Sequence, residues 1–456
     1  MGTKVRAKIG NFEVVFGNER ILPTTGLALV GRMIDKSKLV QLSDQLVIPK
    51  RPQPYIKNSD VVKTYIGLLA QGKTDYECVN EMMDDPEYYI DALGLSRSIP
   101  SEATLRQRMD AIGDRLRTPI LRTNASMFIS SGVKPTANTQ GFVPIDVDVS
   151  PFDNSDTKKE GVSRTYAGYD GYAPNFAYIG TEGYMVNAEL REGRHHCQKG
   201  TADFLWETFH YAKQMTDGNL LLRMDAGNDS AENIGVCFDN NVDFLIKRNM
   251  RNETPEWWRF GAVLMDCQNV THPREGKTVY IGSIFRTLDV PHADGRVTKE
   301  RIRVVYEITE RTIDKQGQMM LIPTVDANTW HTTLELPEEE IIALYHTHAQ
   351  CEQYHSELKS DMGVERLPSG KFATNALVLE LAMVAYNLLR MTGQESLKYP
   401  DTPLKRPVKR RRISTVIKHL MFMAAHLTLH ARKKRLALGR SNTWRWAFAR
   451  LCRRFA

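Results

Sequence analysis

The sequence predicts an α/β protein in three parts: a mainly helical region over residues 1–135, a core of strands and helices over 136–400, and a basic tail over 401–456. Three observations lead there. Helical periodicity dominates the first third, strand and helix patterns alternate between about 142 and 247, and the stretch 248–336 is almost entirely β-prone. A chain of 456 residues that is 42% hydrophobic can bury more than one domain's core.

Taken in order, a short β-prone run at 12–16 opens the chain, and Ser59 and Gly72 bracket a helix over 60–71 as N-cap and stop. Ser101 precedes a second helix over 102–116. There Leu105, Met109 and Ile112 recur at helical spacing while Arg106, Arg108 and Arg115 project elsewhere. This is a candidate DNA-recognition helix, and equally an ordinary amphipathic helix with a solvated arginine face. Next come strands at 142–149, 175–180 and 184–190, a helix at 202–215, a strand at 220–224, a helix at 230–238 and a strand at 243–247. Three strands, helix, strand, helix, strand is the order of a ribonuclease-H-like core. The stretch 248–336 then reads as a β-rich insertion, with runs at 280–285, 302–308 and 319–325. Pro337 and the acids Glu338, Glu339 and Glu340 start a long helix reaching about 361, and an apolar helix at 374–390 packs behind it. Pro403, Pro407 and the basic cluster 405–412 lead into a tail read as helical.

Charge points to a polyanion partner. The chain carries a formal +7, but residues 402–456 hold 16 Lys plus Arg and no acid, which leaves 45 bases against 54 acids, a net −9, for the rest. Basic residues that meet phosphates release condensed counterions, so double-stranded DNA is the leading partner. Six cysteines lie far apart with no CxxC pair, which argues against a disulfide framework or a zinc ribbon. His195, His196 and Cys197 form half a metal site with no second pair at zinc-finger spacing. Uninterrupted apolar stretches stay shorter than the roughly 20 residues of a membrane span, and the first residues lack a secretory signal pattern. The expectation is a cytoplasmic protein with no membrane partner.

Three carboxylates stand out. Asp148 closes the strand at 142–149, and Asp225 follows the strand at 220–224 just before Ala226 and Gly227. Both sit at carboxyl ends of strands, where open α/β sheets keep their sites. Asp146 competes with Asp148, because residues two apart on a strand face the same side. Glu352 lies on the long helix and shares one face with Tyr345, His348, His355 and Lys359. A polar face of that kind is either solvated surface or the lining of a site. Carboxylates are the hard oxygen ligands that Mg2+ takes, and paired divalent ions suit in-line phosphodiester cleavage.

The spacing Tyr345-x2-His348-x3-Glu352-x6-Lys359 resembles the Tyr-Arg-Glu-Lys signature of the cut-and-paste DDE transposases of bacterial insertion sequences. Asp148-Val149-Ser150, Asp225-Ala226-Gly227 and the β-rich insertion before the glutamate resemble that family too, so the likeness covers about 142–390. The departure is His348 where the family has arginine, and it puts a phosphate contact in doubt. The resemblance implies Asp148, Asp225 and Glu352 as catalytic metal ligands for two Mg2+ ions, with Mn2+ as a substitute. Asp148, preferred over Asp146 because Ser150 follows it, would bridge the two. Tyr345, His348 and Lys359 would contact DNA, joined by Arg106 and Arg108 of the candidate recognition helix. Trp330, seven residues before Pro337, would stack on a flipped base, unless it is a core tryptophan; Trp257 and Trp258 are alternatives. The activity implied is transposition: a homodimer binds transposon ends and target DNA, cleaves both strands through a hairpin and joins the 3′ ends, in a bacterial cytoplasm near the nucleoid. A ribonuclease-H-like nuclease or resolvase without strand transfer, and a DNA-binding protein without catalysis, remain as alternatives.

Overall fold

Nine strands, numbered here along the chain, form one mixed sheet. The first five are β1 (Phe142–Val149), β2 (Asn175–Ile179), β3 (Tyr184–Glu189), β4 (Asn219–Met224) and β5 (Asp243–Lys247), arranged β3-β2-β1-β4-β5. Strand β2 runs antiparallel to β1 and β3, whereas β4 is parallel to both β1 and β5. Helix α1 (Thr201–Met215) leads into β4, and α2 (Ala231–Asn240) makes the crossover from β4 to β5 that a parallel pair requires. The order of elements in the core is the one expected from sequence. The computed structural model describes residues 7–48, 54–113, 115–314, 316–404, 406–431 and 433–456; residues 1–6 and Lys405, both used in the sequence reading, lie outside these.

The β-rich insertion extends this sheet. Strands β6 (Asn269–Arg274), β7 (Lys277–Pro291), β8 (Val297–Ile313) and β9 (Met319–Thr332) continue it as β5-β9-β8-β7-β6, every pair antiparallel. The join is the register Leu245↔Thr332, Ile246↔His331 and Lys247↔Trp330. These strands outrun the expected β-prone stretches because polar residues alternate along their exposed halves, where the apolar signal fades. Helix α3 (Pro255–Leu264) packs Trp258 against Tyr306 and Ile308.

The single helix expected over 338–361 is broken. It runs as α4 (Glu338–His346), a 3-10 turn (Thr347–Gln350), α5 (Cys351–Ser356) and a π turn (Glu357–Asp361). The cause of the first break is on β4. Leu344 O, the acceptor for His348 N–H in an unbroken helix, instead receives Arg223 Nη1 at 2.6 Å and the Thr347 hydroxyl at 2.8 Å.

Helix α6 (Phe372–Ser396) is long and apolar enough by composition to cross a membrane, yet it is the buried centre of this fold. It lies between β3 and the helix Asn58–Leu69. Its polar groups are satisfied there: Asn387 donates to Met185 O at 2.7 Å and accepts from Met185 N at 2.8 Å. One apolar core runs continuously from Leu22 through α6 to Phe455.

The helical tail is corrected by the structure. Ala425–His430 and Lys433–Leu438 form a hairpin that pairs with Arg20–Leu22, and the helix Arg445–Phe455 buries Ala447, Phe448, Leu451 and Phe455. The partner strand lies some 400 residues earlier in the chain, so local pattern could not disclose the pairing.

Candidate metal centre

Strands β1 and β4 lie side by side with Asp146 opposite Arg223. Arg223 donates to both carboxylate oxygens of Asp146, at 2.7 Å each, and both side chains are buried. His348 Nδ1 lies 2.9 Å from Asp146 Oδ1. Burial opposes charge on Asp146, but Arg223 and His348 overcome it and hold the carboxyl below its usual range. Asp146 is therefore committed to an ion pair. Among the described residues, Asp146, His348 and Cys351 are the only His, Cys or acid trio whose ligand atoms all lie within 4.8 Å. The trio has a metal-like composition, yet the Arg223 fork already covers both oxygens of its carboxylate.

Two residues beyond Asp146 and Arg223, where β1 and β4 end, lie Asp148 and Asp225. Asp148 is half-buried, and one of its oxygens is 3.2 Å from His355 Nε2, whose Nδ1 is 3.1 Å from the Tyr178 hydroxyl. Asp225 accepts from Asn228 Nδ2 at 3.0 Å. Its carboxyl is pushed up from its usual value, first by burial and then by the charge of Asp148, and Asn228 offsets this only in part. No lysine or arginine pairs with either acid among the described contacts. Two adjacent carboxylates at strand ends, without a lysine or arginine partner, fit a divalent metal ion. Gly227 keeps the place open: a Cβ there would lie 3.3 Å from both oxygens of Asp225 and 3.1 Å from Cys197 Sγ.

The helix of Glu352 runs alongside β1. His348 meets Asp146, His355 meets Asp148, and Lys359 Nζ donates to Pro151 O at 2.6 Å. Glu352 lies between them in sequence but is exposed, lining an open cleft with Gln353, Ser356, Arg410 and Arg412. Its carboxylate forms no trio within 4.8 Å with Asp148 and Asp225. The structure thus brings the two aspartates together and places the glutamate on the adjoining helix.

Several expected DNA contacts move. His348 is buried against Asp146, which raises its pKa even though burial opposes the charge, so it faces the protein and not a phosphate. Lys359 is held by Pro151 O and packs over the Phe152 ring, with its pKa lowered by burial. Tyr345 packs between Trp330 and His348 with its ring tilted to both, within reach of the charges of Asp225 and Asp148. Trp330 is 1% exposed in a core cluster with Leu221, Leu245 and Ile341, so it has no ring face for a base. Arg108 is buried and donates to Ile56 O at 2.9 Å and to Asn58 Oδ1, which removes it from any DNA surface. Arg106 is exposed and pairs with Glu102 one helical turn away.

Sequence reasoning did not assign His355, Asn228 or Tyr166. His355 was legible as sharing the Glu352 face. Nothing local marks Tyr166, whose hydroxyl donates to Val149 O at 3.0 Å beside Asp148.

With this geometry in place, comparison gives the class. The model of the family described as "Transposase DDE domain group 1" matches residues 7–456, so the chain belongs to that family. It is a DDE transposase, an enzyme that cleaves DNA with divalent metal held by acidic residues. No curated protein matches the sequence. Among solved structures, the cryo-EM structure of the piggyBac transposase synaptic complex with hairpin DNA matches with a TM-score of 0.39 at 12% identity, over 88% of this chain and 80% of that one.

Proposed function

We propose that this transposase moves a bacterial insertion sequence by cut and paste. As a homodimer it binds the terminal inverted repeats, cleaves both strands at each end through a hairpin, and joins the 3′ ends to target DNA. The observation that carries this reading is the pair Asp148 and Asp225, on Asp-x-Ser and Asp-x-Gly elements at the ends of adjacent parallel strands, with no lysine or arginine partner.

Asp148, Asp225 and Glu352 would hold two Mg2+ ions, for which Mn2+ can substitute. When bound, the metal supplies Lewis acidity at the phosphorus centre and a nucleophile of lowered pKa. The chain's own residues set the stage. His355 and Tyr178 fix the direction of the Asp148 carboxylate, and Asn228 fixes that of Asp225. The Arg223 clamp on Leu344 O and Thr347 docks the Glu352 helix against β4. We assign end binding to residues 1–135, the chemistry to the ribonuclease-H-like core and insertion of 136–400, and non-specific backbone contacts to the exposed basic residues of 401–456. The protein would act in the cytoplasm, on the nucleoid.

The test incubates purified protein with Mg2+ and end-labelled DNA bearing the inverted repeats that flank its gene. Nicked, hairpin and joined products support the proposal. Cleavage without joined product would instead make the protein a nuclease or resolvase.

A further inference from the structure

We infer that Tyr166 is a stacking platform for an unpaired DNA base at the lip of the acid pair, flanked by Arg164 and Arg194 as phosphate contacts. The inference rests on the reading that the Asp148 and Asp225 site acts on DNA, and it adds a residue to that site which no motif supplies.

The geometry begins with exposure. Tyr166 is 74% exposed, far from the usual state of an aromatic residue beside two partly buried acids. Its hydroxyl is nevertheless tethered, donating to Val149 O at 3.0 Å, so the ring is held at one end and open on its face. The carboxylates nearest in effect are Asp148 and Asp225. The turn that carries it is firmly built. Ser163↔Gly171 and Arg164↔Asp170 pair as a short hairpin, Thr165 N donates to Tyr169 O at 2.9 Å, and the Tyr169 hydroxyl donates to Pro151 O at 3.1 Å. Both tyrosines of the turn are thus fastened to the segment that follows Asp148.

A second loop completes the lip. Arg194 N donates to Ser163 Oγ at 3.0 Å, and Gly193 approaches so closely that a Cβ would lie 2.0 Å from Ser163 O. Further along, Cys197 Sγ donates to Gly227 O at 3.0 Å, which joins this loop to the Asp225 turn. Arg164 and Arg194 are exposed and make only short-range ion pairs, with Asp170 at 3.7 Å and Glu192 at 3.0 Å. Phosphates can compete for such solvated arginines at little cost. An open aromatic face set among arginines is the recognition pattern of unpaired nucleic-acid strands, because every base offers a π-face.

The test uses the full-length protein in EDTA, so that binding is read without cleavage. Its probes are a short duplex ending in a few unpaired thymidines and the same duplex with a blunt end. Wild type is expected to prefer the tailed duplex by about tenfold, the lower part of the range for one stacked base. Tyr166→Ala should erase the preference, and Tyr166→Phe, which keeps the ring, should retain most of it. A 2-aminopurine in the tail should be quenched by wild type and by Tyr166→Phe but not by Tyr166→Ala. Arg164→Ala with Arg194→Ala should weaken both probes and flatten the salt dependence by roughly 2 units of slope, at about 0.9 per contact. Absence of a tail preference in wild type, its survival in Tyr166→Ala, or equal loss in Tyr166→Phe would each overturn the inference. If Tyr166 governs tail binding in a protein that cuts no DNA with Mg2+, the platform stands and the transposition reading fails.

Discussion

Two acids on one strand, two residues apart, meet opposite fates. Asp146 is buried in the fork of Arg223 with His348 at its side, whereas Asp148 keeps one oxygen on His355 and pairs with no lysine or arginine. The same step separates Arg223 from Asp225 on the neighbouring strand. The lower layer is neutralised by the protein itself; the upper layer gathers negative charge and leaves its neutralisation to something else. Burial alone does not separate a structural acid from a functional one. The presence of a cation partner does.

Breaking the upper layer should have the largest effect. Asp148→Asn and Asp225→Asn should each reduce Mg2+-dependent cleavage by roughly a thousandfold or more, as loss of a metal ligand does, while thermal melting stays unchanged or rises. Normal cleavage in either variant would erase the distinction between layers. Breaking the lower layer should show as instability. Asp146→Asn leaves the Arg223 guanidinium buried without its counterion and should cost about 3–5 kcal/mol in denaturant unfolding. A stable Asp146→Asn protein that had lost only activity would move Asp146 into the upper layer.

The same contrast extends to Trp330 and His331, at the seam between core and insertion. Trp330→Ala should destabilise by about 3–5 kcal/mol, and nicked and hairpin products should fall together with the folded fraction. Selective loss of hairpin product would return Trp330 to the active site. His331 is buried beside Arg248, and burial followed by the charges of Arg248 and Arg286 lowers its pKa to about 3. The native state therefore keeps it neutral while the unfolded chain takes up a proton near pH 6.5. Stability from this group is complete above about pH 6.5 and is lost as pH falls toward 3, by at most about 1.4 kcal/mol per pH unit. Melting curves between pH 7 and pH 5 should show the decline, and His331→Asn should flatten it. The smallest effect is expected at the surface: replacing exposed Arg406 and Lys409 by Gln should reduce the slope of log affinity against log salt by roughly 1.8, if each meets one phosphate. An unchanged slope would mean that these residues do not touch DNA.

Much of this architecture could be read from the chain. The alternation that marks β1, β4 and β5 and the apolar stripe of α6 are local signals, and both aspartates sit at the strand ends where local pattern puts them. What escaped was set by distant partners. The break after His346 depends on Arg223, some 120 residues away, and the tail hairpin depends on a strand near the start. The choice between Asp146 and Asp148 needed Arg223 opposite one of them, which only strand register supplies. Arg108 fits a surface reading by residue type and Trp330 fits either reading, and only packing shows both turned inward. Tyr166 lies in a polar turn that no periodicity distinguishes.

The central claim is that Asp148 and Asp225 together hold a divalent cation. Mn2+ binding, followed by the loss of the free-ion electron paramagnetic resonance signal in the presence of DNA ends, tests it most directly. Wild type should take up Mn2+, and Asp148→Asn and Asp225→Asn should each take up markedly less while still binding the DNA. Undiminished Mn2+ uptake by both variants would contradict the account.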